Sequence, residues 1–186
     1  MKKIFLLCFL VFCTACFSFA QIYKGEGTTK NGTVNFSLHY IDLTGYRCLF
    51  FIDGVSIFMD EDNIIRLEAI LEKFAEWEAM AEAENISLTK TIDSITFTGF
   101  HHSYTFFREP LIIYFVFSSG AGISENAGES GSGRYTLFID TTMEKIVPFR
   151  LSSQTAEEMR LALSPEKLSE AWDAYEKQRA LEEMFK

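Results

Sequence analysis

The stretch from Asp60 to Glu84 constrains the fold most, because it lacks glycine and proline and spaces its apolar residues as a helix does. Those residues recur at intervals of three and four: Ile64, Leu67, Leu71, Phe74 and Trp77. The spacing predicts an amphipathic helix of about 37 Å, at 1.5 Å per residue. Asp60 can cap its start, where negative charge also complements the helix dipole. The apolar face of such a helix needs a second layer to cover it.

Strand signals come before this helix. Asn31-Gly32 and Asp53-Gly54 favour the positive φ of two-residue type I′ turns, and Thr44-Gly45 breaks the chain between them. The segments that these turns separate are Ile22–Lys30, Thr33–Asp42, Arg47–Ile52 and Val55–Met59. The pattern predicts a four-strand antiparallel meander.

Strand patterns resume after the helix. They cover Ile92–Phe100, Tyr104–Phe107, Leu111–Ser118, Arg134–Asp140 and Lys145–Leu151. Residues 119–133 are rich in glycine and serine and predict a mobile loop. The strand from Leu111 has no polar face, so we expect cover on both of its sides.

Two helices are predicted at the C-terminal end. Thr155 and Glu158 have the spacing of a capping box, which predicts a short helix to about Leu163. Ser164-Pro165 then supplies an N-cap and a proline at the first helical position of a last helix.

These elements predict one α+β domain over residues 21–186, with mostly antiparallel sheet, the long acidic helix and a C-terminal helix pair packed on the sheet. Strands followed by helix occur twice, in residues 22–84 and 92–185, and Leu49–Asp53 resembles Leu137–Asp140. The similarity fits either an internal duplication or the chance recurrence of common patterns.

The first twenty residues have the layout of a secretory signal peptide. Lys2 and Lys3 precede an apolar run, and Ser18 and Ala20 put small residues at positions −3 and −1 of a cleavage site before Gln21. We therefore expect a secreted or periplasmic product. The alternative is a lipid-anchored envelope protein modified at Cys16, although Cys13 stands where lipoprotein signals place an aliphatic residue. Leu111–Phe117, the longest apolar run beyond the leader, is too short to cross a bilayer as a helix.

Charge and motifs exclude several function classes. The net charge of −9 becomes more negative without Lys2 and Lys3, which argues against nucleic-acid binding. The chain lacks a glycine-rich phosphate loop, a nucleophile elbow and an HExxH motif, so no cofactor and no metal is expected. The three histidines are His39, His101 and His102, and the two adjacent ones would point to opposite faces of a strand. Cys48, the remaining cysteine of the processed chain, is expected to be a buried hydrophobe.

The acidic face of the long helix is the candidate partner-binding surface. Glu68, Glu72 and Glu76 follow one another at helical spacing, where like charges repel. A face of this kind either docks a basic envelope or extracellular partner or keeps the protein soluble. The sequence thus favours an exported, non-enzymatic binding or structural module of unknown ligand. The alternatives are a hydrolase that uses a pair of carboxylates, and an inhibitor or adaptor that uses this helix.

Overall fold

The computed structural model describes residues 20–43, 45–52, 54–97, 100–102, 105–107, 110–119, 135–142 and 146–184, with the backbone alone for 100–102 and 105–107. The predicted leader up to residue 19, which includes Cys16, lies outside the described residues. So do residues 120–134, and with them most of the predicted loop.

Ten strands and three helices make up this described part of an α+β fold. The first strands are β1 (Ala20–Thr29), β2 (Gly32–Leu43), β3 (Tyr46–Ile52) and β4 (Val55–Met59), followed by helix α1 (Glu61–Ala83). The next strands are β5 (Thr89–Phe97), β6 (Phe100–His102), β7 (Thr105–Phe107), β8 (Leu111–Ser119), β9 (Tyr135–Thr141) and β10 (Phe149–Ser152). Helices α2 (Ser153–Ala162) and α3 (Pro165–Met184) come last.

All strand pairs are antiparallel, and they form one curled sheet in the order β5-β8-β9-β10-β1-β2-β3-β4-β6-β7. Strand β1 lies between β2 and β10 and so joins the first meander to the strands that follow α1. The curl brings β4 back into contact with β5. A sheet curled in this way encloses its apolar face and needs little more than one helix to cover the opening.

Helix α1 covers this enclosed core. It buries Ile64, Leu67, Leu71 and Phe74 among inward-facing sheet residues, and Trp77 meets the ring of Phe117 edge-on at 5.9 Å. Each large side chain buried in this way contributes about 1.5–3 kcal/mol. A like-charge pair at i,i+4 costs about 0.2–0.5 kcal/mol. Burial therefore outweighs the repulsion along the acidic face.

Local hydrogen bonds set the two ends of α1. The Asp60 carboxylate accepts a hydrogen bond from the Asn63 N–H at 2.8 Å, as an N-cap residue does. At the other end Asn85 adopts φ +49°, and the Ile86 N–H donates to the Ala81 carbonyl at 3.1 Å. This is a Schellman motif with asparagine in the left-handed position. The helix bounds agree with the predicted stretch to within a residue at each end.

The first predicted turn is wrong by one residue. Thr29 pairs with Gly32, so Lys30 and Asn31 form the loop and Gly32 begins β2. Asn31 does not have the positive φ that a type I′ turn requires, whereas Gly32 has φ +133°. From Val34 onward the side chains of β2 alternate between the core and the solvent, and this alternation fixes the register of the strand. A shift of one residue in the pairing would move its core side chains to the solvent face.

Helix α2 begins earlier than the predicted capping box. Ser152 is the N-cap residue, and its hydroxyl accepts a hydrogen bond from the Thr155 N–H at 3.1 Å. Glu158 accepts a hydrogen bond from the Gln154 side chain of the first turn at 2.9 Å and another from the Tyr23 hydroxyl of β1 at 3.0 Å. The Thr155 N–H, which the predicted box would pair with Glu158, bonds to Ser152 instead.

The expectation of cover on both sides of β8 is also wrong. Its odd-numbered residues are buried in the core, whereas Ile112, Tyr114 and Val116 face outward and Tyr114 is 38% exposed. Neighbouring strands shield this outward set from the side, since Val116 pairs with Phe138 of β9. Cross-strand packing on a solvated face is sufficient for such residues in antiparallel sheets.

Candidate binding cleft

A cleft of about 400 Å³ lies between the start of α1 and the junction of α2 with α3, above the adjoining ends of β2 and β3. We refer to it as the helix cleft. Its lining residues are Tyr40, Arg47, Glu61, Ile64, Ile65, Glu68, Leu163, Pro165 and Leu168. The volume falls in the range of about 300–1,000 Å³ that is usual for ligand pockets.

The floor of the helix cleft is apolar and rigid. Tyr40, Ile64 and Leu163 are all buried, with at most 6% of their surface exposed. The ring of Tyr40 contacts Trp172 and Tyr175 of α3, with centroids 5.5 and 5.6 Å away. Burial raises the pKa of Tyr40, so its hydroxyl stays neutral. The floor can therefore receive an apolar group and offer one neutral hydrogen-bonding group beside it.

The rim of the helix cleft adds a large apolar side chain. Ile65 is 58% exposed although it belongs to a helix whose other apolar residues mostly face the core. It lies one position after Ile64, so it points away from the sheet and over the cleft edge. An isolated exposed isoleucine is ordinary, but one that borders an apolar cavity extends the surface available to a ligand.

One cation, Arg47, lines the helix cleft, and it is already paired. Its guanidinium donates to Asp42 at 3.0 Å, and Asp42 also lies 3.8 Å from Arg179 of α3. The side chains of Arg47 and Asp42 are 49% and 32% exposed, so the pair is worth at most about 1 kcal/mol. The positive charge of Arg47 is nevertheless balanced by the carboxylate of Asp42.

The acidic groups of the helix cleft outnumber its cations. Glu61 and Glu68 line it, and an adjoining cavity of about 250 Å³ is lined by Asp60, Glu61 and Asp62 with Arg47 and Gly45. Arg160 of α2 lies near Glu68 and Glu72, and its pKa is raised first by its hydrogen bond to Glu157 and then by these acids. Its two hydrogen bonds, both 2.7 Å, go to Glu157. Among the residues that line the two cavities, acidic side chains therefore outnumber basic ones.

The structure places the three predicted site residues differently. Glu68 is half-buried in the cleft wall, Glu72 is exposed one turn further on, and Glu76 is exposed and 2.9 Å from Lys73. Of the three predicted residues, Glu68 lines the cleft. The sequence signal missed Tyr40, Arg47 and the α2–α3 junction, because these lie far from α1 in the chain; the one local sign was the extra isoleucine at position 65.

The histidines and Cys48 do not join this cleft. His39 lies in the middle of β2, where Ser37 Oγ is 2.8 Å from its Nε2, and burial lowers the pKa of the ring. His101 and His102 are adjacent on β6, and they are described by backbone alone. Cys48 is fully buried, and this burial raises the pKa of its thiol to about 12, so it is the buried hydrophobe that was predicted. The described residues contain no group of three or more potential metal ligands.

Arginine partners change the acidity of two carboxyl groups outside the cleft. The hydrogen bond from Arg66 lowers the pKa of Asp93, and the one from Arg160 lowers the pKa of Glu157. A carboxylic acid that acts as a general acid needs the opposite shift. Neither of these groups is suited to that role.

Within the described ranges, no helix has both the length and the apolar character needed to cross a membrane. Comparison with protein-family models, with curated proteins and with solved structures finds no match to the chain. Its function is therefore argued from the geometry of the cleft.

Proposed function

We propose that this protein is an exported binding module that holds a basic, amphipathic segment of a partner protein in the helix cleft. The observation that carries the proposal is the combination of a buried apolar floor with a rim whose one arginine is already paired. An apolar side chain fits the floor, and a neighbouring lysine or arginine meets Glu61 and Glu68 at the rim. Charge complementarity of this kind fixes orientation and speeds association.

The acidic face of α1 extends this site. Glu72 and Glu76 continue along the helix from Glu68, about 6 and 12 Å further at 1.5 Å per residue. A basic helix laid along α1 would meet these carboxylates after its apolar residues enter the cleft. The partner face predicted from the sequence thus becomes the outer part of the proposed site.

A labelled synthetic peptide of leucine and lysine, designed as an amphipathic helix, tests this function by fluorescence anisotropy. Glu68→Lys is expected to weaken binding about tenfold, with smaller effects for Glu72→Lys and Glu76→Lys. Ile65→Ser is expected to weaken binding as well, because it removes exposed apolar surface beside the floor. Binding should also fall as salt rises from about 0.05 to about 0.3 M, which shortens the screening length.

Two residues of the same helix provide matched controls. Glu82→Lys makes the same charge change at the far end of α1, and Met80→Ser removes a side chain that is 62% exposed. Both are expected to leave peptide affinity unchanged. Equal weakening by Glu68→Lys and Glu82→Lys would mean that net charge, and not the cleft, attracts the peptide.

Export is the second part of the proposal. Cleavage after Ala20 would remove the first residue of β1 and keep Gln21–Thr29 paired with β2. Expression in a bacterial host with a functional secretion system is expected to give an exported product whose intact mass begins at Gln21. A mass that begins at Cys16 and includes acyl chains would instead establish the lipid-anchored alternative.

An internal duplication accounts for the order of the elements. Strands β1, β2, β3 and β4 neighbour one another in chain order and lead into α1, and β5, β8, β9 and β10 do the same before α2. The short β6–β7 hairpin would then be an insertion in the second unit. Both units place a helix directly after their last long strand, which is the pattern proposed from the sequence.

A further inference from the structure

A second pocket lies at the opposite end of the sheet from the helix cleft. It has a volume of about 350 Å³ and is formed where the β1–β2 turn meets the β3–β4 turn and the segment before β10. We refer to it as the tip pocket. The side chains that line it include those of Thr29, Asn31, Thr33, Asn35, Phe51 and Val147.

The lining of the tip pocket is neutral and polar around one aromatic ring. None of its described lining side chains carries a charge. Phe51 is 41% exposed on the outer face of β3, where it pairs with Ser37 of β2. Asn35 lies two residues before Ser37 and therefore on the same face as Phe51. An aromatic ring and a side-chain amide thus lie side by side on a solvated sheet surface.

The turn residues complete this arrangement. Asn31 is exposed in the β1–β2 loop, and the Thr29 hydroxyl holds that loop through hydrogen bonds with the Asn31 N–H and the Gly32 carbonyl, at 3.1 and 2.9 Å. Gly54 has φ +79° in the neighbouring turn, and a Cβ there would meet no atom within 4 Å. The Thr29 hydroxyl therefore orders the β1–β2 loop beside the pocket.

We propose that the tip pocket binds a neutral sugar ring of a glycan. The C–H face of a sugar packs against the negative face of an aromatic ring, which Phe51 presents. Each asparagine amide offers two donors and one acceptor, which suits adjacent hydroxyl groups. Glu26 lies opposite Asn35 on β1 and is exposed, so its carboxylate can accept a hydrogen bond from a further hydroxyl group.

The charge of the protein favours a neutral ligand over a phosphorylated one. The chain carries a net charge of −9, which repels anions. A wholly apolar peptide is also a poorer fit, since the lining combines amide and hydroxyl groups with the ring of Phe51. The tip pocket is independent of the helix cleft, because Gly32 and Tyr40 are about 26 Å apart along β2 at 3.3 Å per residue.

Calorimetric titration of the processed protein with hexasaccharides of glucose and of N-acetylglucosamine tests this site. At least one of these sugars is expected to bind. Phe51→Ala should weaken that binding about tenfold, and Asn35→Ala should weaken it by a smaller factor. Tyr114→Ala is the matched control, because Tyr114 is an outward-facing aromatic of β8 with 38% exposure that lies outside the pocket.

Three outcomes would overturn the proposal: no binding of any of these sugars, equal loss in Phe51→Ala and Tyr114→Ala, or a tip pocket that takes an apolar peptide instead. The thermal unfolding midpoint of each variant shows that it remains folded. Glu68→Lys is expected to leave sugar binding intact. The glycan site and the peptide cleft can therefore fail separately.

Discussion

Gly27 shows how a single residue permits the join between β1 and β10. A Cβ built at this position would overlap the ring of Phe149, which lies over the strand and is fully buried. A glycine covered by an aromatic from the next strand is a known device for packing a sheet closely. Gly27 is therefore required by the contact across the sheet and not by the conformation of a turn.

Gly27→Ala is expected to lower the free energy of unfolding by about 1–3 kcal/mol, because the added methyl overpacks the core against Phe149. Urea denaturation measures the loss. Thr28→Ala is the control, since Thr28 is exposed on the other face of β1. A Gly27→Ala protein as stable as wild type would show that the ring of Phe149 can move aside.

At the scale of elements, one ion pair ties α1 to the edge of the sheet. Arg66 donates two hydrogen bonds of 3.0 Å to Asp93 of β5, next to the register shift between Thr91 and Asp93. A bulge and a covering helix both protect an edge strand from pairing with another chain. The acidic helix therefore has a structural role in addition to the proposed docking role.

The pH dependence of this ion pair is predictable. The hydrogen bond from Arg66 lowers the pKa of Asp93 in the folded state. The ion pair therefore stabilises the protein fully above the pKa of Asp93 in the unfolded chain, which is about 3.9. This stabilisation is lost as the pH falls through the lower pKa of Asp93 in the folded protein. About half of each side chain is exposed, so Asp93→Asn is expected to cost about 0.2–1 kcal/mol at neutral pH, and less below about pH 4. Urea denaturation at several pH values measures this difference.

A double-mutant cycle provides the control. Arg66→Ala should cost as much as Asp93→Asn at neutral pH, and the double variant should lose no more than either single variant. Additive losses would mean that the two residues stabilise the protein separately.

At the scale of the whole molecule, β1 makes the two groups of strands depend on each other. The buried residues form one apolar cluster that includes Phe36 and Phe50 from the first meander and Phe115 and Phe149 from the later strands. Phe36 and Phe149 lie 6.1 Å apart across β1. Neither group can bury its inner face without the other.

We therefore expect a single cooperative unfolding transition. Far-UV circular dichroism and tryptophan fluorescence should give the same midpoint. Trp77 contacts β8, so the variant Trp172→Phe leaves a fluorescence probe of the later strands. Trp172 contacts β2, so the variant Trp77→Phe leaves a probe of the first meander. Two separate midpoints would mean that the halves unfold independently and that residues 21–186 are not one domain.

Local chemistry made much of the fold predictable. The bounds of α1 follow from its apolar spacing, from Asp60 and from the end of the periodic stretch, and the strand β4 was predicted residue for residue. Errors arose at the ends of elements. Ser152 and not Thr155 caps α2, and the register of β2, which packing within the sheet fixes, sets the first turn.

The candidate sites were less predictable, for the same physical reason. Glu68 was predicted because like charges at helical spacing are visible in the sequence. The apolar floor beside Glu68 comes from Tyr40 and Leu163, which are more than a hundred residues apart in the chain. The tip pocket had no sequence signal beyond its turn residues, because Phe51 resembles any other strand aromatic.

The sequence by itself determined the α+β class, the meander before the long helix and the acidity of that helix. These features depend on hydrophobic periodicity, turn residues and charge, all of which act over a few residues. Only the tertiary structure decided the order of strands in the sheet, the curl that brings β4 to β5, and the two pockets at its ends. Those features depend on the packing of side chains between strands and helices that are distant in the chain, and such packing is specified by shape in three dimensions.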